Sequence, residues 1–183
     1  MAEADAEVEP ERGERLVVPL DIAVPEPLLA ALDAFMTDIA LTPLHRIDRR
    51  LAEVDDRVLA LALRQEGYDW LATDNDKILR NPNELAAILR AGVNVFAVHG
   101  TGGDPLRAVG ALLLDLPEAV RRASGLGEVF WSRPRRPAPH RPWELFEQAA
   151  TRHGLPAEEL YERVKVTDEE MTTPWWTAGR APG

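Results

Sequence analysis

Residues 70–79 read WLATDNDKIL, and this stretch decides the fold class that the sequence predicts. The mainly apolar run at residues 68–73, which overlaps the start of this stretch, is typical of a buried strand. Two carboxylates, Asp74 and Asp76, follow that run with a single residue between them. Neighbouring acids repel each other, so they occur where they are solvated, cap a helix or hold a cation. The stretch therefore predicts a strand that places two acids at its carboxyl end.

Strands and helices are predicted to alternate on both sides of this stretch. Asp55 and Asp56 open the helix before it, and Asp104 opens a later helix that Pro117 kinks or ends. The other strands are expected at residues 15–20, 38–44, 93–98 and 127–132. Strands that alternate with helices form a mainly parallel sheet with helices on its faces. The predicted fold class is therefore α/β, a three-layer sandwich with a C-terminal extension.

Composition divides the chain into three parts. We expect a disordered acidic leader, one α/β domain, and a Pro/Arg-rich linker with a helical or disordered tail, at residues 1–14, 15–132 and 133–183. Two short amphipathic helices are predicted within the last part, at residues 142–153 and 156–165. Trp175 and Trp176 follow in polar surroundings. Such an aromatic pair indicates docking, either on the domain itself or on a partner.

The formal net charge is −10, which argues against nucleic-acid binding through a broad basic surface. It does not argue against a nuclease, because acids gathered at a metal site lower the net charge. The sequence has no Cys, which excludes disulfides and Cys-bound zinc. The acidic N-terminus has no apolar signal-peptide core, and no apolar run reaches the length of a membrane span. We therefore expect a soluble, cytoplasmic protein with no membrane partner.

Three acids are expected to meet at one edge of the sheet. Asp21 ends the first strand, and Asp74 and Asp76 follow another, while ligands of parallel α/β sheets bind beyond the carboxyl ends of the strands. Asp55 is expected at the opposite edge of the sheet, unless irregular chain before its helix brings the start of that helix to the same edge as the other acids. A divalent cation offsets the repulsion between such carboxylates, and ligands that are all oxygen select Mg²⁺ or Mn²⁺. The ion in turn can activate water and stabilise charge on a phosphoryl group.

The order of these acids resembles that of the PIN-like nucleases, the compact form seen in toxin–antitoxin ribonucleases and their relatives. The resemblance covers residues 15–125: "VVPLD" supplies Asp21, "DDRVLALALRQEG" supplies Asp55 with Asp56 as the neighbouring candidate, and "WLATDND" supplies Asp74 and Asp76. It implies that Asp21, Asp55, Asp74 and Asp76 are the catalytic and metal-binding residues, with Mg²⁺ or Mn²⁺ as cofactor. The implied activity is hydrolysis of RNA phosphodiester bonds, with an antitoxin protein as a partner.

Other interpretations remain open on the sequence alone. The chain could be a non-catalytic PIN-like binding or regulatory module, and a homodimer is a further alternative. Asp55 and Asp76 could simply cap the helices that follow them. Residues 121–141 contain six Arg and one Glu, so this part could hold a phosphate backbone while Trp131 or Trp143 stacks a base. A solvated linker is the simpler interpretation of the same residues.

Overall fold

The computed structural model describes residues 15–99, 104–132 and 139–177. The predicted leader, residues 100–103, the first six residues of the predicted linker and the end of the tail lie outside these ranges. The strands are β1 Leu16–Asp21, β2 Ile39–Pro43, β3 Trp70–Thr73, β4 Asn94–Ala97, β5 Val129–Trp131 and β6 Pro139–His140. The α-helices are α1 Glu26–Phe35, α2 Leu44–Ile47, α3 Asp56–Gln65, α4 Pro82–Ala91, α5 Pro105–Arg122, α6 Pro142–Arg152, α7 Ala157–Val164 and α8 Asp168–Thr172. Short 3₁₀ helices lie at Arg49–Ala52, Asp76–Leu79 and Trp175–Thr177.

The strands form one sheet in the order β2-β1-β3-β4-β5-β6. The first five are parallel to one another, and the short β6 pairs antiparallel with β5. Parallel neighbours need a crossover, and helices supply it after β1, β3 and β4. The predicted α/β class with a mainly parallel central sheet is therefore confirmed.

Helices cover both faces of the sheet, which gives the three layers. Alternate residues of a strand point to opposite faces. Leu20, Ala72, Phe96 and Phe130 pack with α1 and α5 on one side, which we call the α5 face. Leu71, Val95, Ala97 and Val129 pack with α3, α4, α6 and α7 on the other side, which we call the α3 face.

The helices after the linker belong to the α3-face core. Phe146 of α6 is fully buried, and Leu160 of α7 and Val166 beyond it are at least nine-tenths buried in the same cluster as β3, β4 and β5. The two short helices predicted in the tail are confirmed by α6 and α7. The boundary predicted at residue 132 does not coincide with the limit of the hydrophobic core, because one apolar cluster spans both sides of it.

Trp175 docks on the domain itself. Its side chain is 2% exposed, its backbone N donates to Gln65 Oε1 at 3.0 Å, and its Nε1 donates to Glu66 Oε1 at 2.8 Å. The Arg50 guanidinium lies 4.7 Å from the ring centroid. Trp176 is 48% exposed. Of the two docking interpretations for the Trp pair, the structure supports an intramolecular one for Trp175.

The longest helix continues through a proline. α5 begins at Pro105, capped by the Asp104 carboxylate, which accepts from the backbone N of Leu106 at 2.9 Å. It runs past Pro117 to Arg122, so Pro117 does not end the helix. No helix among the described residues is long and apolar enough to cross a membrane.

Candidate functional site

One row of paired residues crosses the carboxyl edge of the sheet. Asp21 of β1 pairs with Thr73 of β3, Thr73 pairs with Ala97 of β4, and Ala97 pairs with Trp131 of β5. These four residues follow the parity of Leu71, Val95 and Val129, so their side chains belong to the α3 face. The edge where ligands of parallel α/β sheets bind therefore carries an acid at one end of the row and an aromatic at the other.

A chain of hydrogen bonds links Asp21 to helix α3. The Thr73 hydroxyl donates to Asp21 Oδ2 at 3.0 Å and accepts from the backbone N of Asn75 at 3.0 Å. The Asn75 side-chain amide donates to Asp56 Oδ2 at 2.8 Å. Thr73 is buried, so these bonds hold the end of β1, the turn after β3 and the start of α3 in one arrangement.

Asp56, rather than Asp55, is the α3 residue beside Asp21. The charge of Asp56 acts on the Asp21 carboxyl, while Asp55 occupies the exposed N-cap position and makes no capping hydrogen bond with its side chain to the described residues. The expectation that this helix begins at the opposite edge of the sheet was wrong. A crossover helix runs antiparallel to the strands that it connects. It therefore begins at the edge of the sheet where the preceding strand ends.

The Asp21 carboxyl is destabilised in its charged form. Burial is the main cause, and the neighbouring charges of Asp56 and Asp74 add to it, while the Thr73 hydrogen bond opposes it. Together they raise the pKa of Asp21 from 3.8 to about 6. Burial also raises the pKa of Asp56, against the hydrogen bond from Asn75. Two half-buried acids with raised pKa values at one edge are typical of functional sites.

Glu84 is a member of this group that the sequence reasoning missed. It lies in the first turn of α4, where Oε1 accepts from the Asn81 side-chain amide at 2.7 Å. Its other oxygen, Oε2, is buried with no hydrogen-bond partner among the described residues. Burial raises the pKa of Glu84, and the charges of Asp56 and Asp55 raise it further. The sequence gives Glu84 only a capping signal, since Asn81 followed by Glu three residues later is a helix-start pattern, and its place beside Asp56 is shown by the tertiary structure alone.

The two acids after β3 differ in their surroundings. Asp74 is exposed, and its charge acts on Asp21. Asp76 Oδ2 instead accepts from the Arg80 guanidinium and lies 3.0 Å from His99 Nδ1. The structure therefore brings Asp21, Asp56 and Asp74 together, with Asp55 and Glu84 near Asp56. It directs Asp76 toward Arg80 and His99, and Asn75 rather than Asp76 caps the short 3₁₀ helix.

The donor chemistry of this acidic group fits a hard divalent cation. All its donors are oxygens, and a buried carboxylate oxygen of Glu84 lacks a partner. The spacing is looser than that of a closed cage, because no three Asp, Glu or His side chains within residues 15–99, 104–132 and 139–177 are placed to share one ion. Mg²⁺ commonly keeps several waters and takes one or two carboxylates. The group therefore fits an ion held partly through water.

No protein-family model, curated protein or solved structure matches this chain. The fold and the edge site define the class: a three-layer α/β protein with an acidic group at the carboxyl ends of β1 and β3.

Replacing Thr73 with Val is expected to raise the pKa of Asp21 above about 6. The hydroxyl favours the charged carboxylate, and a hydrogen bond to a charged group contributes about 1.5–3 kcal/mol, which corresponds to on the order of one pH unit. Carboxyl ¹³C shifts followed through a pH titration measure it. Thr151→Val, on α6, is the matched control and should leave the Asp21 titration unchanged. An Asp21 pKa that stays at the wild-type value would contradict the hydrogen bond.

Proposed function

We propose that the protein is a Mg²⁺- or Mn²⁺-dependent ribonuclease of the PIN-like type. The observation that carries the proposal is the half-buried Asp21 carboxyl at the end of β1, whose pKa is raised by burial and by the charges of Asp56 and Asp74. These neighbouring charges and the burial of Asp21 destabilise the charged carboxylates, and a bound cation would offset that destabilisation. The order of the acids along the chain, which resembles that of the PIN-like family, supports the same assignment. A toxin role is implied by the resemblance alone and is not part of the proposal.

The residues of the site have separable roles under this proposal. A bound divalent cation would supply the Lewis acidity that phosphodiester hydrolysis needs. Asp21, Asp56 and Asp74 would hold it, in part through bound water, and the Thr73 and Asn75 hydrogen bonds orient the first two carboxylates. Without the ion, the Asp21 carboxyl with its pKa of about 6 is partly protonated near that pH, so binding of the cation would displace the proton. The exposed Lys77 lies one residue beyond Asp76 and offers a positive charge to a phosphate.

Asp74→Asn is expected to remove Mn²⁺-dependent cleavage of a fluorescein-labelled single-stranded RNA while leaving the fold intact. Loss of an outer-shell partner alone costs about 10–100-fold in metal affinity or activity, so loss of a direct ligand should cost at least that. Since Asp74 repels Asp21, the stability of the mutant without metal should equal or exceed that of the wild type. Asp38→Asn serves as the control, because Asp38 is exposed and precedes β2, at the opposite edge of the sheet from the site. A mutant that cleaves like wild type in Mn²⁺, with EDTA abolishing both activities, would remove Asp74 from the site.

A non-catalytic binding module is the second candidate, and two contacts favour it. The Asp76 carboxylate is occupied by Arg80 and His99, and Asp56 is occupied by the Asn75 amide. Both contacts stabilise the charged carboxylates without a cation, so the fold depends less on a bound metal ion. The two candidates differ in the thermal melt, because an ion that binds the native state stabilises it by mass action. Millimolar Mn²⁺ should raise the melting temperature of a nuclease and leave that of a module without a metal site unchanged.

A further inference from the structure

A groove lies beside the acidic group on the same edge of the sheet. It has a volume of about 460 Å³ and is formed by the turn after β3, the end of β5 and one face of α6. Leu79, Trp131 and Leu145 give it an apolar floor, and Arg80, Gln148 and Arg152 give it a polar rim. The volume falls within the range of about 300–1,000 Å³ that is usual for small-ligand sites.

The sheet register fixes the distance from the acids to this groove. Trp131 ends the row that begins with Asp21, three strand spacings away. At about 4.8 Å for each spacing, their Cα atoms are roughly 14 Å apart. Arg80 lines the groove and binds the carboxylate of Asp76, which lies two residues beyond Asp74 of the acidic group.

Of the two aromatics that the sequence offered for base stacking, only Trp131 lines this groove. Trp143 is used inside the fold: its ring stacks on Phe146 at 5.5 Å, and its Nε1 donates to Glu147 Oε1. Trp131 is half-buried, and the imidazole of His99 contacts it edge to face at 5.9 Å. An indole held in place by its neighbours at the wall of an open groove suits stacking with a planar ring.

The rim supplies positive charge next to that indole. Arg152 is exposed at the end of α6, and its Nε donates to the Gln148 carbonyl oxygen. Its two terminal nitrogens make no hydrogen bond or ion pair with the described residues that would neutralise the charge. Arg80 adds a second guanidinium, already shared with Asp76. An aromatic face beside guanidinium groups is the combination that binds a base together with its phosphate.

We propose that this groove binds an unpaired nucleobase and its phosphate, from a single-stranded RNA segment that continues to the acidic group. The base stacks on Trp131, and Arg152 contacts a phosphate. This assignment rests on the proposed ribonuclease function, for which it defines the path of the substrate. It also defines the substrate class, because a base in the groove has to be unpaired before it can stack.

The test measures binding of full-length protein to a fluorescein-labelled oligouridylate by fluorescence anisotropy, in EDTA and at several NaCl concentrations. Trp131→Leu keeps apolar bulk but removes the stacking face, and it should weaken binding about tenfold, within the range found for loss of one base–aromatic stack. Arg152→Gln should reduce the slope of log K against log [salt] by about 0.7, the value for one phosphate contact on a single strand. The matched controls are Trp176→Leu and Arg163→Gln, which lie outside the groove and should bind like wild type.

The possible outcomes distinguish failure of the proposed RNA-binding groove from failure of the proposed ribonuclease function. Wild-type affinity of a folded Trp131→Leu, an unchanged salt slope in Arg152→Gln, or no RNA binding by wild type would each overturn the groove. If Trp131→Leu does not fold, the salt slope of Arg152→Gln decides, since that side chain is exposed. Weakened binding by the groove variants, in a protein that does not cleave RNA in Mn²⁺, would support the groove and contradict the ribonuclease. Competition by oligothymidylate equal to or better than that by oligouridylate would overturn the assignment to RNA.

Discussion

Asp21→Asn is expected to raise the free energy of unfolding at pH 7 by up to about 3 kcal/mol in the absence of metal. The folded protein raises the pKa of Asp21 from 3.8 to about 6, mainly through burial and then through the charges of Asp56 and Asp74. A difference of about two pH units, at about 1.36 kcal/mol for each, is the cost of keeping this carboxylate charged in the fold. Asn carries no charge and keeps an oxygen that can accept from the Thr73 hydroxyl.

The gain should depend on pH with a defined sign. Above pH 6 both the folded and unfolded chains hold Asp21 as a carboxylate, so the wild type pays the full cost. Between pH 6 and pH 3.8 the folded chain binds the proton first, and the cost decreases as the pH falls. Below pH 3.8 both states are protonated, and the advantage of Asn should vanish. Urea denaturation of both proteins at pH 7 and pH 3.5 measures the difference.

The matched control is Asp38→Asn, which removes an exposed carboxylate outside the acidic group and should change stability by less than about 0.5 kcal/mol. Mn²⁺ gives the experiment a second readout. If the acidic group binds the ion, Mn²⁺ should stabilise the wild type more than Asp21→Asn. A mutant that is less stable than wild type at pH 7 would show that Asp21 is a satisfied structural residue, and the ribonuclease proposal would lose the observation that carries it.

The fold class could be predicted because its signals are local. Each strand is a short apolar run, and each crossover helix begins near Asp, Asn or Pro and carries an apolar stripe. Those periodicities survive in the structure from β1 through β5. The packing of the tail could not be predicted in this way, because nothing in the composition of the linker indicates which surface α6 and α7 will cover. The α3 face leaves apolar side chains of β3, β4 and α4 to be covered, and α6 and α7 cover part of them.

The sequence predicts the edge of the sheet at which the candidate site lies. It predicts less well which residues belong to that site. Asp21 and Asp74 follow directly from the ends of β1 and β3. The choice between Asp55 and Asp56 depends on which way the first turn of α3 faces, and only the tertiary arrangement shows that Asp56 meets Asn75. Asp76 is directed away from the acidic group by its contacts with Arg80 and with His99, which follows β4. The contacts of Asp56 with Asn75 and of Asp76 with His99 join distant parts of the chain, and such contacts carry no signal in a single sequence.

The shared core determines what removal of the tail does. Phe146, Leu160 and Trp175 are all at least nine-tenths buried in one cluster with residues of α3, α4 and β4. Within it α6 and α7 pack on α4, and the 3₁₀ helix of Trp175 packs on α3. Ending the chain at residue 132 would leave that apolar surface open to water. We therefore expect the truncated chain to lose its cooperative unfolding transition, which reverses the expectation that residues 15–132 form a domain of their own.

A single substitution tests the same point without removing any chain. Phe146→Ala is expected to lower the free energy of unfolding by about 3–5 kcal/mol, because a fully buried Phe leaves both lost apolar contact and a cavity. Phe35→Ala is the matched control: Phe35 is 74% exposed at the end of α1, so its removal should cost less than about 0.5 kcal/mol. Urea melts should be followed by two probes, tryptophan fluorescence and hydrogen exchange of β3 and β4 amides. If α6 belongs to the core, both probes shift together in Phe146→Ala. If exchange in β3 and β4 stays at the wild-type rate while the fluorescence transition shifts, the tail unfolds by itself and the boundary at residue 132 separates two folding units.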